Sequence, residues 1–267
     1  FADIAFMQYT GGTTGVSKGA MLSHRNMVRN VQQTVIWQGD AYQGLDQIVA
    51  ITALPLYHIF CLQGNCLTVM SQGGQNVLIT NPRDAKGFVS ELKKHQFSLF
   101  TGVNTLFASL INTPGFDACD FSGFTVSFGG GSATQRAVSE RWKALTGLHI
   151  TEGYGLSETA PIVSANLLNA PDFTGTVGIP LPSTDIKILD EDGNVDPERA
   201  RFSHLSAGGT RHSYSIFPRR QVLSQPYRPP HRRRPHAGSL ESRRKPEQAP
   251  RRRTEHDMTA ILSLLVI

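Results

Sequence analysis

Short apolar runs and stretches with helical spacing alternate along the first 190 residues, and this limits the architectures open to the chain. The β-prone runs fall at 4–9, 48–54, 76–79, 98–101, 124–128 and 149–151. Helices are expected between them. Ser23 can cap a helix over 24–37. Asp84 can cap 85–95, with Phe88, Leu92 and His95 on one face. Thr134 can cap 135–146, with Val138, Trp142 and Leu145 turned inward. A strand followed by a helix, repeated, is the pattern of an α/β fold with a mainly parallel sheet.

Composition breaks near residue 196. Residues 1–196 hold 11 Lys and Arg against 16 Asp and Glu, a net charge of −5; residues 197–267 hold 15 against 5, a net of +10. The overall +5 describes neither part. The tail carries 14 Arg but one Lys, with many Pro, Ser and His and no periodic apolar pattern. Such a segment buries too little apolar surface to offset the entropy of ordering, so 197–267 is expected to be disordered. Its Arg runs, RPPHRRRP and PRRR, suit a phosphate backbone. Its few aromatic residues form no regular stacking pattern, and no nucleic acid is expected as a partner. Cys61, Cys66 and Cys119 lack metal-like CxxC spacing, fit a reducing compartment and read as small buried residues. No apolar run approaches the ~18 residues needed to span a bilayer. The chain opens at Phe1 directly into structure, so a preceding segment is expected.

The stretch YTGGTTGVSKGAML, residues 9–22, packs four glycines, four Thr or Ser and one Lys together. It follows the first β-prone run and precedes the first helix, so it is expected at a strand-to-helix connection. Gly11, Gly12 and Gly15 let the backbone approach an anion and turn N–H groups toward it. Thr10, Thr13, Thr14 and Ser17 add hydroxyls, and Lys18 a mobile positive charge. Together they suit a polyphosphate. A Walker A loop needs Gly-Lys-Ser/Thr; here Ser17 precedes Lys18 and Gly19 follows it, so that motif is excluded. In EGYGLSET, 152–159, Tyr154 offers a flat face for a purine beside Gly155, Ser157 a hydroxyl for a phosphate, and Glu158 a hard oxygen ligand for Mg2+. FGGGSAT, 128–134, sets Gly129, Gly130 and Gly131 at a strand-to-helix turn. LPLYHIF, 54–60, carries His58, which taken alone reads as a core histidine.

Together these segments resemble the signatures of the adenylate-forming enzymes, which include acyl-CoA synthetases, luciferases and peptide-synthetase adenylation domains. YTGGTTGVSKG is similar to their phosphate-binding loop and EGYGLSET to their YG-x-[ST]-E signature. FGGGSAT resembles the segment bordering the adenine, and LPLYHIF the segment facing the acyl substrate and its carboxylate. TALPLYHIF, GGQNVLITNPRD, TGVNTLF, EGYGLSETAPIVSAN and TVGIPLPSTDIKILDEDGN look like a bacterial-type long-chain fatty-acid–CoA ligase, from Phe1 to about Val195.

The resemblance implies that 1–196 is part of the large N-terminal AMP-binding domain, a mainly parallel sheet flanked by helices. It implies long-chain fatty acid, ATP and coenzyme A as substrates, with Mg2+. Thr10 to Lys18 would hold the β- and γ-phosphates, Glu158 the metal with help from Thr13, and Ser157 the α-phosphate. Tyr154, Gly155 and Gly129–Gly131 would frame the adenine. His58 would face the carboxylate, and Gly102, Val103 and Phe107 would wall the acyl channel. Lys18, Ser157, Glu158 and His58 are then the candidate catalytic residues. A cytoplasmic location, with peripheral contact at the inner membrane face, would follow from the lipid substrate.

The sequence also departs from the family. It has no counterpart of the ribose-binding Asp in a TGD-type motif, of the interdomain hinge, or of the catalytic Lys of the small C-terminal domain. After ILDEDGN the match gives way to DPERARFSHLSAGG, where the composition flips. Arg in place of Lys, with Pro, Ser and His, is what a GC-rich gene yields in a shifted frame. The chain is therefore expected to be an inactive partial copy with a frameshifted tail. A nucleotide- or acyl-binding remnant, or another acid–CoA ligase of the superfamily, are the alternatives.

Overall fold

The chain opens in a hairpin rather than in a strand feeding a helix. In the computed structural model, which describes residues 3–10, 18–189 and 213–218, strands β1 (Ile4–Thr10) and β2 (Lys18–Ser23) pair antiparallel, with Thr10 opposite Lys18. From Ala20 on, strand β2 alternates buried Ala20 and Leu22 with half-buried Met21 and Ser23, the period-two pattern of a half-buried strand, while Lys18 at its start is exposed. This corrects the strand-to-helix reading: the glycine-rich loop joins two paired strands. Gly11, Gly12, Thr13, Thr14, Gly15 and Ser17 lie outside the described residues. Helix α1 (His24–Gln38) follows at once. As expected, Ser23 caps it: its Oγ accepts from Asn26 N–H at 3.2 Å, and Asn26 Oδ1 accepts from Ser23 N–H at 2.9 Å.

Among the described residues the main sheet has seven strands: β3 (Val49–Thr52), β4 (Gln75–Leu78), β5 (Leu99–Gly102), β6 (Val126–Gly129), β7 (Thr151–Gly155), β8 (Ile162–Ala165) and β9 (Ile179–Pro180). Their order is β4-β3-β5-β6-β7-β8-β9. The first five are parallel, while β8 and β9 pair antiparallel. The sequence pointed to the parallel five. It did not point to β8, whose four residues are all buried and so show no alternation.

The crossovers carry helices, as the alternation predicts. Helix α2 (Ile59–Cys61) runs through a π-helical turn, Leu62–Leu67, into α3 (Thr68–Ser71). Helix α4 (Ala85–Leu92) is capped by Asp84, whose Oδ1 accepts from Gly87 N–H at 3.0 Å. Helices α5 (Asn104–Ile111) and α6 (Arg136–Thr146) complete the set. Thr134 does not cap α6. Its own N–H donates to Glu152 Oε1 at 2.8 Å, and Gln135 N–H donates to Asn104 Oδ1 at 3.0 Å. The helix starts one residue later than expected, with Gln135 at its N-cap position and no side-chain cap bond, and side chains from β7 and α5 hold the two amides that lead into it.

Two cores sandwich the sheet. Trp142 of α6 is fully buried, edge-on to Phe107 at 4.8 Å and beside Phe100 at 5.4 Å. On the opposite face Phe128 meets Trp37 and Phe60 edge-on. A buried polar ladder then stitches three parallel strands. Asn65 Oδ1 accepts from Thr101 Oγ1 of β5 at 2.7 Å, and Asn65 Nδ2 donates to Thr52 Oγ1 of β3 at 3.2 Å. Thr52 in turn donates to Asn76 Oδ1 of β4 at 2.8 Å. With every partner present, such a ladder fixes the relative heights of the strands.

Beyond the main sheet, β10 (Thr184–Leu189) pairs antiparallel with β11 (Ser213–Pro218). This six-residue strand is an exception to the disorder expected over 197–267; the rest of that segment lies outside the described residues. No helix among the described residues is long and apolar enough to cross a membrane.

Candidate functional site

Ligands of open parallel sheets bind beyond the carboxyl ends of the strands, where the crossovers diverge. Four candidate segments leave the sheet at that edge. His58 follows β3, Gly102 ends β5, Gly129 ends β6, and Gly155 ends β7. Gly102 lies opposite Gly129, which lies opposite Glu152. This edge presents main chain at 129–131 after one strand and half-buried Tyr154 on the next.

A small third core draws the remaining candidates together. Ala20 and Leu22 of β2, Met27 of α1, Ile59 of α2 and Ala160 form one buried cluster. Lys18 heads β2, His58 precedes Ile59, and Glu158 lies two residues before Ala160. Burial of these five apolar side chains packs together the chain segments on which Lys18, His58 and Glu158 stand. A polar tie reinforces it, as Gln8 Nε2 of β1 donates to the carbonyl of Tyr57 at 2.8 Å.

At the hairpin mouth, Lys18 is exposed and Thr10 Oγ1 donates to the Lys18 carbonyl at 3.3 Å. His58 is half-buried and caps α2, its Nδ1 accepting from Phe60 N–H at 3.2 Å. Burial pushes its pKa below the ordinary imidazole value, so the ring is neutral near pH 7. A neutral ring with Nδ1 accepting carries its proton on Nε2, making His58 a hydrogen-bond donor toward a ligand.

Ser157 and Glu158 sit on a 3-10 turn, Ser157–Thr159. The Thr159 hydroxyl accepts from Leu156 N–H at 3.0 Å and donates to the Pro161 carbonyl, which holds the turn closed. Ser157 is half-buried and Glu158 exposed.

Some candidate glycines have packing reasons as well. A Cβ on Gly129 would lie 2.7 Å from Ile150 Cγ2, and one on Gly155 would overlap the Pro161 carbonyl. Gly131 turns at φ +80°. Phe107, expected to wall the acyl channel, is a fully buried core ring packed against Gly102.

The sequence reading gave Glu152 no role. It is 4% exposed, its Oε1 holds Thr134 N–H, and its Oε2 has no hydrogen-bond partner. It thereby ties the turn after the glycines to β7. Burial pushes its carboxyl up from the ordinary value. Among the described residues no three His, Cys, Asp or Glu side chains form a protein-only metal cage. One exposed carboxylate at an anion-accepting edge fits Mg2+ held jointly by protein and phosphate oxygens.

The AMP-binding enzyme family matches residues 2–201. The chain is 52% identical over 195 residues to the long-chain-fatty-acid–CoA ligase of Escherichia coli O6:H1, covering 73% of this chain and 35% of that protein. It is 53% identical over 192 residues to the enzyme of that name from Salmonella typhimurium, covering 72% and 34%. The crystal structure of ATP-bound MatB from Rhodopseudomonas palustris superposes with a TM-score of 0.62 at 27% identity, covering 73% of this chain and 38% of that one. The chain thus spans about a third of the length of these curated relatives. Sheet order, convergent strand ends and sequence agree: the chain belongs to the AMP-binding enzyme family.

Proposed function

We propose that the chain carries the nucleotide-binding and acid-activating part of a long-chain fatty-acid–CoA ligase. The observation that supports this most is the third core, in which the segments carrying Lys18, His58 and Glu158 pack together. In this reading a fatty carboxylate attacks the α-phosphate of ATP and pyrophosphate leaves. Coenzyme A thiolate then takes the acyl group and AMP is released.

The protein's part is positioning and charge neutralisation. Lys18, with Thr10 and the loop 11–17, holds the β- and γ-phosphates. The Ser157 hydroxyl donates to the α-phosphate. Tyr154, Gly155 and Gly129–Gly131 frame the adenine. His58 Nε2–H donates to one carboxylate oxygen, leaving the other free to attack. Glu158, with Thr13, would hold Mg2+, which would supply neutralisation of phosphate charge. Fatty acid substrates partition into lipid, so a peripheral contact at the cytoplasmic membrane face belongs to the same reading.

Calorimetric titration of the chain with Mg·ATP tests it. Saturable binding is expected, weakened about tenfold or more in Lys18→Ala, as for loss of a charge-assisted contact. Unsaturable binding would remove the proposal. Fatty-acid-dependent exchange of pyrophosphate into ATP then separates acid activation from a nucleotide-binding remnant. Palmitate compared with benzoate separates the long-chain reading from another acid–CoA ligase.

A further inference from the structure

Helix α1 buries a polar face. Asn30, Gln33, Thr34 and Gln38 recur at helical spacing and are all buried, Asn30 to 1% exposure. This face is aimed at main chain. Gln33 Nε2 donates to the Pro182 carbonyl at 2.7 Å, and Trp37 Nε1 donates to the Asn166 carbonyl at 3.0 Å. Asn30 makes the closest match. Its Nδ2 donates to the Ile162 carbonyl at 2.7 Å, while its Oδ1 accepts from Ile162 N–H at 3.1 Å.

Ile162 is the first residue of β8 and lies opposite Gly155. Residues 155 and 162 therefore close the loop that presents Ser157 and Glu158. On its other side β8 meets β9 only at Ser164 and Ala165, and the last bond of that kind is Leu181 N–H to the Val163 carbonyl at 2.8 Å. At Ile162 the strand partner has run out, and the Asn30 carboxamide supplies the donor and acceptor that a further strand residue would supply. Asn30 stands on the helix that continues directly from β2, the strand headed by Lys18. One side chain thus links the Lys18 hairpin unit to the base of the Glu158 turn.

We propose that Asn30 is a positioning residue that sets the Ser157–Glu158 turn against the hairpin carrying Lys18. Its consequence for metal-dependent nucleotide binding rests on the function proposed above; its placement of the turn does not.

Hydrogen exchange on the full chain tests the placement. In Asn30→Ala, amides of 155–162 should exchange about tenfold faster while β5 and β6 keep wild-type protection, the signature of local opening. Unchanged protection at 155–162 overturns the proposal, as does an equal loss in every strand. Should the alanine variant not fold, Asn30→Asp decides. Its carboxylate keeps the acceptor and loses the donor, and protonation restores the donor. Protection at 155–162, relative to wild type at each pH, should then recover between about pH 8 and about pH 6, because burial raises a carboxyl's pKa. No recovery overturns the proposal.

ATP titration with and without Mg2+ supplies the second readout. Asn30→Ala should lose the Mg2+-dependent gain in affinity and keep metal-free binding within about twofold, since the turn and not the hairpin is displaced. A retained gain overturns the link to the metal turn. If the wild-type chain itself binds no Mg·ATP, the proposed function fails, and the exchange result still decides the role of Asn30.

Discussion

The strand ends of β5, β6 and β7 and the hairpin β1–β2 supply the two halves of the proposed site, yet they are held in place by different means. The strand ends rest on a large aromatic core in which Trp142 touches Phe100, Phe107, Phe116 and Phe124. The hairpin is a separate two-stranded sheet, fastened by the small cluster around Leu22 and by single polar ties such as Gln8 to Tyr57. A two-stranded unit with one packed face has little stability of its own. The glycine and Tyr154 side of the site is therefore as stable as the fold, while the Lys18 side can be loosened separately.

Substitutions in the two halves should separate. Trp142→Ala removes the centre of the aromatic core and should cost about 3–5 kcal/mol of global stability, read by urea unfolding. A loss under about 1 kcal/mol, the scale of a surface change, would break the contrast at its root. Leu22→Ala should cost less, roughly 2–3 kcal/mol, and that cost should fall on the docking of the hairpin rather than on global unfolding. Its larger effect should be on Mg·ATP affinity, with the unfolding midpoint of the main sheet little moved. If affinity and midpoint fall together, the hairpin is not a separable unit. Ser23→Ala breaks the cap that joins β2 to α1 and should cost about 1 kcal/mol, seen as faster amide exchange in the first turn of α1. Removing this cap should leave the exchange of β6 unchanged.

The smallest expected effect is on pH dependence. Burial raises the Glu152 carboxyl, so the folded chain holds this proton more tightly than the unfolded chain. Stability should therefore fall as pH rises from the ordinary carboxylate value through the raised one, and both states are protonated below that window. Glu152→Gln keeps an acceptor for Thr134 N–H and removes the titration. Unfolding free energy measured on both sides of the window should lose this slope. An unchanged slope would show that Glu152 is not what makes the strand-end half sensitive to pH.

Much of the strand-end half was legible in the sequence. The period-two and helical patterns marked five parallel strands, and the caps at Ser23 and Asp84 were read from single residues. Local chemistry writes these signals, since a cap needs an oxygen three residues from an amide whatever surrounds it. The hairpin was misread because β2 spans six residues and runs straight into α1. Its alternation covers only the four residues from Ala20 to Ser23, too short to stand out from the loop before it. Thr134 reads as a cap and is not one: the helix starts after Gln135, and the amides of 134 and 135 are held by Glu152 and Asn104 from elsewhere in the chain. Asn30 and Glu152 went unassigned for the same reason. A polar residue on a helix or strand reads as solvent-facing until its distant partner is known.

By itself the sequence determined the α/β class, the glycine-rich loop, the EGYGLSET segment and the change of character near residue 196. These depend on residue type and spacing along the chain. Tertiary structure alone decided that the loop closes a hairpin, and that Leu22, Met27, Ile59 and Ala160 meet. It also decided that Asn30 completes the edge of β8. Contacts between residues more than a hundred positions apart follow from which apolar faces bury one another. That choice belongs to the whole chain and leaves no local pattern.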